Sequence, residues 1–199
     1  VFNTEKEGLY ADYGKSRRPT ILFNQGKRAL QKGLTLTINL AERLPGITFV
    51  ISTPLIKIDS SLKERLLHLP NVIFLNFHKD INDLQGLVKT CDAALVIGKS
   101  ITQSASAALA WSCGCPVISN LKLQLPISGE LLYEVSDQSD QLIRKHLDTS
   151  DELINEASLR VLKLELINVV DQIRSRPTNR DDISRLYIEQ IKESMAKII

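Results

Sequence analysis

From residue 20 onward, short continuous apolar runs alternate with longer amphipathic stretches. Thr20–Asn24, Ile47–Ser52, Val72–Asn76, Asp92–Ile97, Cys115–Ser119 and Leu131–Val135 are runs of strand length, rich in β-branched, aromatic and aliphatic residues. Their length and composition predict strands. Between them, Leu34, Ile38, Ala41 and Leu44 recur at helical spacing until Pro45-Gly46 stops the pattern. Ser60–Leu69 reads as a helix ended by Pro70, and Ile81, Leu84, Leu87 and Val88 mark the apolar face of another. A helix is expected from about Gln103 to Cys113, closed by Gly114. The strands are apolar throughout rather than alternating, which implies a sheet covered on both faces. Strands that alternate with helices imply a parallel, doubly wound α/β sheet of six strands.

After Ser139 the pattern is helical only. Over Ser150–Ile173, Leu153, Ala157, Val161, Leu164 and Asn168 follow roughly helical spacing, and Arg176-Pro177 breaks the run. A terminal helix is expected over Asp181–Ile199, with Ile183, Leu186, Tyr187 and Ile191 on one side. Residues 1–19 are polar and irregular, ending in Lys15-Ser16-Arg17-Arg18-Pro19, and read as a lead-in segment or interdomain linker with a solvated basic end. Residues 20–199 then form one domain with its terminal helices, a size that supports a real core.

Composition narrows the partners. A net charge of +2 with 24% charged residues gives no reason to expect nucleic acid, so any basic site must be local. No apolar run reaches the roughly 18–20 residues of a membrane span, and no signal peptide is visible. Cys91, Cys113 and Cys115 are odd in number and lack metal-ligand spacing, so they read as small buried thiols of a reducing compartment. A cytoplasmic location is expected, with peripheral membrane attachment left open for a longer protein. The chain begins at Val1. That start suggests a fragment with a further domain upstream.

In an open parallel sheet, ligands bind beyond the carboxyl ends of the strands. Three loops there carry candidate chemistry. Gly26-Lys27-Arg28-Ala29-Leu30-Gln31-Lys32-Gly33 places three cations at the start of the first long helix. Backbone N–H groups and the helix dipole favour an anion at such a position. Lys99-Ser100-Ile101-Thr102-Gln103-Ser104-Ala105-Ser106 puts small, hydroxylated residues at the start of another helix, where they permit close backbone approach or simply cap it. Phe77-His78-Lys79-Asp80 follows the third strand and offers a ring and an imidazole for stacking on a base.

The order and spacing of these segments resemble the GT4 glycosyltransferases, in the C-terminal half of their GT-B fold. Gly26-Lys27, four residues, then Lys32-Gly33 resembles the family's "G-R, four residues, K-G" loop. Asn71-Val72-Ile73-Phe74-Leu75-Asn76-Phe77 resembles "N-V-x-F-L-G", and Cys91–Val96 resembles "A-D-V-x-V". Ala110-Trp111-Ser112-Cys113-Gly114-Cys115-Pro116-Val117-Ile118 resembles "A-M-A-x-G-x-P-V-I". Gly129–Val135 with Asp137 and Leu142 resembles the "G-x-L" strand and its following helix.

The resemblance implies a Rossmann-like domain that binds a nucleotide diphosphate sugar, the donor of a glycosyl transfer to a glycan or glycoconjugate in polysaccharide assembly. It implies a retaining reaction with no metal or other cofactor, and an N-terminal acceptor-binding domain upstream. The diphosphate would lie against Gly26, Lys27, Lys32, Ser104 and Ala105, with Phe77, His78 and Leu109 near the base or ribose. Ile101 and Thr102 would lie near the donor sugar. The family places two glutamates eight positions apart before "A-M-A-x-G", and this chain has Ile101 and Leu109 there. Neither accepts a hydrogen bond. Two other readings therefore stand beside the first: a non-catalytic GT-B-like domain for partner binding or regulation, and a GT-B relative such as a sugar-nucleotide epimerase or hydrolase. No catalytic residue is assigned.

Overall fold

The computed structural model describes residues 18–24, 32–53, 58–75, 81–99, 104–123, 131–148 and 155–176, together with Arg185, Ile188 and Glu189. Six strands and six helices lie among them: β1 (Thr20–Asn24), α1 (Leu34–Arg43), β2 (Thr48–Ser52), α2 (Ser60–His68), β3 (Val72–Leu75), α3 (Ile81–Thr90), β4 (Ala93–Val96), α4 (Ala105–Ser112), β5 (Val117–Ser119), β6 (Leu132–Glu134), α5 (Asp137–Asp148) and α6 (Glu156–Ser175). All strand pairings are parallel, in the order β3-β2-β1-β4-β5-β6. The chain is thus a doubly wound, Rossmann-like sheet.

Successive side chains of a strand point to opposite faces. Ile21 and Phe23 of β1, Phe49 and Ile51 of β2 and Leu95 of β4 join a core with α1, α2, α5 and α6. Leu22, Val50, Ala94, Val96 and Val117 join a second core with α3 and α4. The central strands β1, β2, β4 and β5 are covered on both sides as their unbroken apolar runs imply. The edges differ. Every residue of β3 is half-buried, as are Leu132 and Tyr133 of β6.

Several residues that mark the sequence pattern have structural duties. Gly114 has a φ of 65° and sits just past α4. Cys115 N–H donates to the Ala110 carbonyl at 2.8 Å and Gly114 N–H to the Trp111 carbonyl at 2.9 Å, the paired bonds of a left-handed helix stop. Asp92 accepts from the Thr20 amide through Oδ2 at 2.7 Å while its own amide donates to the Thr20 carbonyl at 2.8 Å, tying the start of β4 to β1. Asn71 is buried, and its Nδ2 donates to the carbonyls of Ala41, Leu44 and Ile47 at 2.9–3.0 Å. It closes the turn from α1 into β2. Cys91, Cys113 and Cys115 are buried thiols outside any disulfide, and burial pushes the Cys113 thiol up.

Helix α6 requires a correction. It begins at Glu156, with Asn155 accepting from the Ser158 amide as its cap. It buries Leu159, Leu162, Leu166, Val169, Val170 and Ile173, not the stripe through Ala157, Val161, Leu164 and Asn168. Leu164 is 53% exposed. Both stripes have helical spacing, but the buried one carries six large aliphatic residues where the other includes an alanine and an asparagine. The helix turns its heavier apolar face inward. Leu153 and the expected stripe of the terminal helix lie outside the described residues, and Ile188 is exposed.

On α5, Ile143 and Leu147 enter the core, and His146 is buried beside them. Burial holds its imidazole below the usual value of 6.5, which favours the neutral form in the folded protein. The unfolded chain takes up the proton first as pH falls. This contribution to stability is therefore complete above the unfolded value and is lost as pH drops below it. The thermal midpoint is expected to fall from about pH 7 toward about pH 5, ahead of most carboxylate titration. His146→Gln should flatten that slope, which thermal melts across the interval will read.

Candidate functional site

With strand order β3-β2-β1-β4-β5-β6, the chain reverses direction across the sheet between β1 and β4. Crossovers run outward on either side, leaving a crevice at the carboxyl ends of these two strands. The helices that follow them, α1 and α4, begin at this edge.

Gly33 caps α1 with φ 89° and ψ 26°, a left-handed conformation. A Cβ there would lie 3.1 Å from Ile97 Cγ2, so the start of α1 is pressed against the exit of β4. The Gly33 carbonyl accepts from both the amide and the hydroxyl of Thr37 at 2.9 Å, closing the first turn. Lys32 precedes it, half-buried. Across the crevice, Ser104 caps α4, its Oγ accepting from the Ala107 amide at 3.3 Å. The Ser106 hydroxyl donates to the Asn24 carbonyl, which fastens the first turn of α4 to the exit of β1. Each helix start is thus braced against the strand that leads to the other.

Charge separates these two helix starts from those of α2, α5 and α6. Neither α1 nor α4 has an acidic residue in its first turn. By contrast, Asp59 caps α2 and accepts from the Leu62 amide at 2.8 Å. Helix α5 opens with Asp137 and Asp140, and Glu165 reaches the Ser136 amide at 3.0 Å. Glu156 lies in the first turn of α6. The chain's own carboxylates already answer the positive ends of α2, α5 and α6, whereas the first turns of α1 and α4 carry none.

Of the candidate residues, Lys32, Ser104 and Ala105 are placed at this edge. Ala105 is exposed in the first turn of α4. Leu109, one turn further on, is half-buried against the second core. Gly26, Lys27, Phe77, His78, Ile101 and Thr102 lie outside the described residues. Ser106 lies in a candidate loop of the sequence, whereas Asn24 and Asn120 carry no motif, and only the geometry shows that they shape the crevice. Among the described residues, no group of three or more His, Cys, Asp or Glu side chains is arranged to hold a metal ion. No described helix is long and apolar enough to cross a membrane. A separate groove of about 290 Å³ lies at the opposite edge of the sheet, between Pro19, Pro45, Ile47, Lys163 and Val170.

No protein-family model and no curated protein matches the sequence. Solved structures do match the fold. A glycosyltransferase from Rickettsia africae aligns with a TM-score of 0.52 at 13% identity, over 96% of this chain and 52% of that one. The C-terminal domain of a glycosyl transferase group 1 family protein from Francisella tularensis aligns with a TM-score of 0.50 at 19% identity, over 88% of this chain and 95% of that domain. The fold is that of one half of a GT-B glycosyltransferase. The pneumococcal O-GlcNAc transferase GtfA, solved with UDP and GlcNAc, aligns with a TM-score of 0.52 at 14% identity, over 92% of this chain and 36% of that one. The chain thus spans about half of the Rickettsia glycosyltransferase and about a third of the pneumococcal transferase.

Proposed function

We propose that this GT-B half binds the diphosphate of a nucleotide sugar between the starts of α1 and α4, as the donor domain of a glycosyltransferase. The supporting observation is the pair of acid-free helix N-termini braced across the β1/β4 crevice. A diphosphate there meets two positive helix ends and the ammonium of Lys32, with Lys27 of the same loop as a second cation. As the bond to the sugar breaks, negative charge grows on the departing diphosphate, and donors already fixed in place stabilise it. No resident metal has a part in this reading. The acceptor, a glycan or glycoconjugate, would be held by a second domain across the cleft.

Leu109 favours one competing reading. An apolar side chain packed on the core offers the ribose no acceptor, which suits a non-catalytic domain kept for partner binding. Ser104→Asp separates the two. Aspartate caps a helix as well as serine does, so the thermal midpoint should hold. A carboxylate at the cap repels a bound diphosphate, and UDP affinity in an NMR titration should fall about tenfold or more. Unchanged UDP affinity in this variant would remove the diphosphate from the start of α4.

A further inference from the structure

We propose that Asn120, Asp140 and Arg144 form a positioning device that sets the exit of β4 and, through it, the start of α4 at the anion site. The link to binding rests on the donor-site reading above, while the positioning itself does not.

The connection from β4 to α4 leaves the sheet at Gly98 and Lys99, and their backbone is held by side chains. The buried Asn120 pairs with Gly98 on both sides, its Oδ1 accepting from the Gly98 amide at 3.0 Å and its Nδ2 donating to the Gly98 carbonyl at 2.9 Å. Nδ2 also donates to Asp140 Oδ1 at 2.9 Å. Arg144 grips the same carboxylate through Nε at 2.8 and 2.9 Å, and its Nη1 donates to the Lys99 carbonyl at 2.7 Å. The Lys99 ammonium continues along α5 to Asp148 at 3.0 Å. Asp140, Arg144 and Asp148 fall at four-residue intervals, so one face of α5 carries the whole bracket. From the other side Gly98 is pressed on Leu121, where a Cβ would lie 3.1 Å from Cδ1.

Stability alone explains the Arg144–Asp140 pair poorly. Arg144 and Asp140 are partly exposed, and such ion pairs contribute little to folding. What they do supply is geometry. A planar guanidinium that spans a carboxylate and a carbonyl fixes both in direction and distance. Five residues beyond Lys99 stands Ser104, whose cap orients the amides offered to the anion. The strand exit is thus fixed by α5 and the helix start by Asn24, so both ends of the connection are held. Asn120, Asp140 and Arg144 need not touch the ligand to govern its site.

The test uses the 199-residue chain with Arg144→Ala, Arg144→Lys and Asn120→Ala, and UDP as the probe. Hydrogen exchange is followed at the amides of Gly98, Ala107 and Ala108, the last two of which donate to Ser104. In Arg144→Ala, exchange at these amides should quicken about tenfold while the thermal midpoint stays within about 3 °C. UDP affinity should fall about fivefold, and Arg144→Lys should recover part of it because an ammonium still reaches one of the two acceptors. Asn120→Ala should show the same exchange pattern more strongly. Unchanged exchange at Ala107 and Ala108 in both alanine variants would overturn the positioning role. Faster exchange with undiminished UDP affinity would overturn its link to binding. Should wild-type UDP binding be absent, the donor-site reading fails, and the exchange comparison still decides whether α5 positions the start of α4.

Discussion

Asn71→Ala is expected to cost about 2–3 kcal/mol of stability, because it removes the donor for three carbonyls that end α1 and open β2. Two of these carbonyls keep another partner: Leu44 N–H donates to Ala41 at 3.3 Å and Ile47 N–H to Leu44 at 3.0 Å. The loss is therefore smaller than three fully orphaned groups would give. Asn71→Asp should be worse than alanine, since a carboxylate turns acceptors toward three carbonyl oxygens in a buried site. Urea unfolding of the pair gives the order directly. Losses below about 0.5 kcal/mol in both would show that the corner is held by its backbone alone.

Gly33→Ala should cost about 2–3 kcal/mol and weaken anion binding as well. Two effects add at this position. The left-handed backbone, with φ 89°, penalises any Cβ, and the new methyl would press on Ile97 at 3.1 and 3.3 Å. Relief requires α1 to move away from β4, which widens the crevice where the diphosphate is proposed to bind. Gly46→Ala is the control, with no atom within 4 Å of the added Cβ. It should change stability by less than about 0.5 kcal/mol. Equal losses at the two glycines would show that the contact with Ile97 is slack.

Much of the fold can be read in the sequence because its strongest signals are local. Unbroken apolar runs identify the central strands, and Pro45-Gly46 and Gly114 end helices through backbone geometry that depends on a few neighbouring residues. Asn71 and Asp92 stand out in sequence as motif positions, and the structure gives them physical work as braces of α1 and β1. The buried face of α6 was not legible in the same way. Two stripes share the helical period, and the choice between them depends on what the helix meets. Helix α5 is marked in the sequence mainly by the resemblance at Asp137 and Leu142, since its apolar face is narrow and polar residues surround it.

The candidate site divides along the same line. Lys32 and Ser104 are visible because helix starts have a local signature. Asn120 and Arg144 are not, since they act across 22 and 45 residues of sequence and leave no spacing to detect. The absence of acids from the first turns of α1 and α4 is written in the sequence. It gains meaning only when the strand order places both helix starts at one crevice.

Anion binding at the β1/β4 edge is tested most directly by titrating the isotope-labelled chain with UDP, GDP and ADP while recording amide NMR spectra. At millimolar nucleotide, shifts should concentrate at Lys32, Gly33, Ser104 and Ala105 for at least one of the three. No shift with any of them, or shifts confined to the groove at Pro19 and Lys163, would contradict a diphosphate site between α1 and α4.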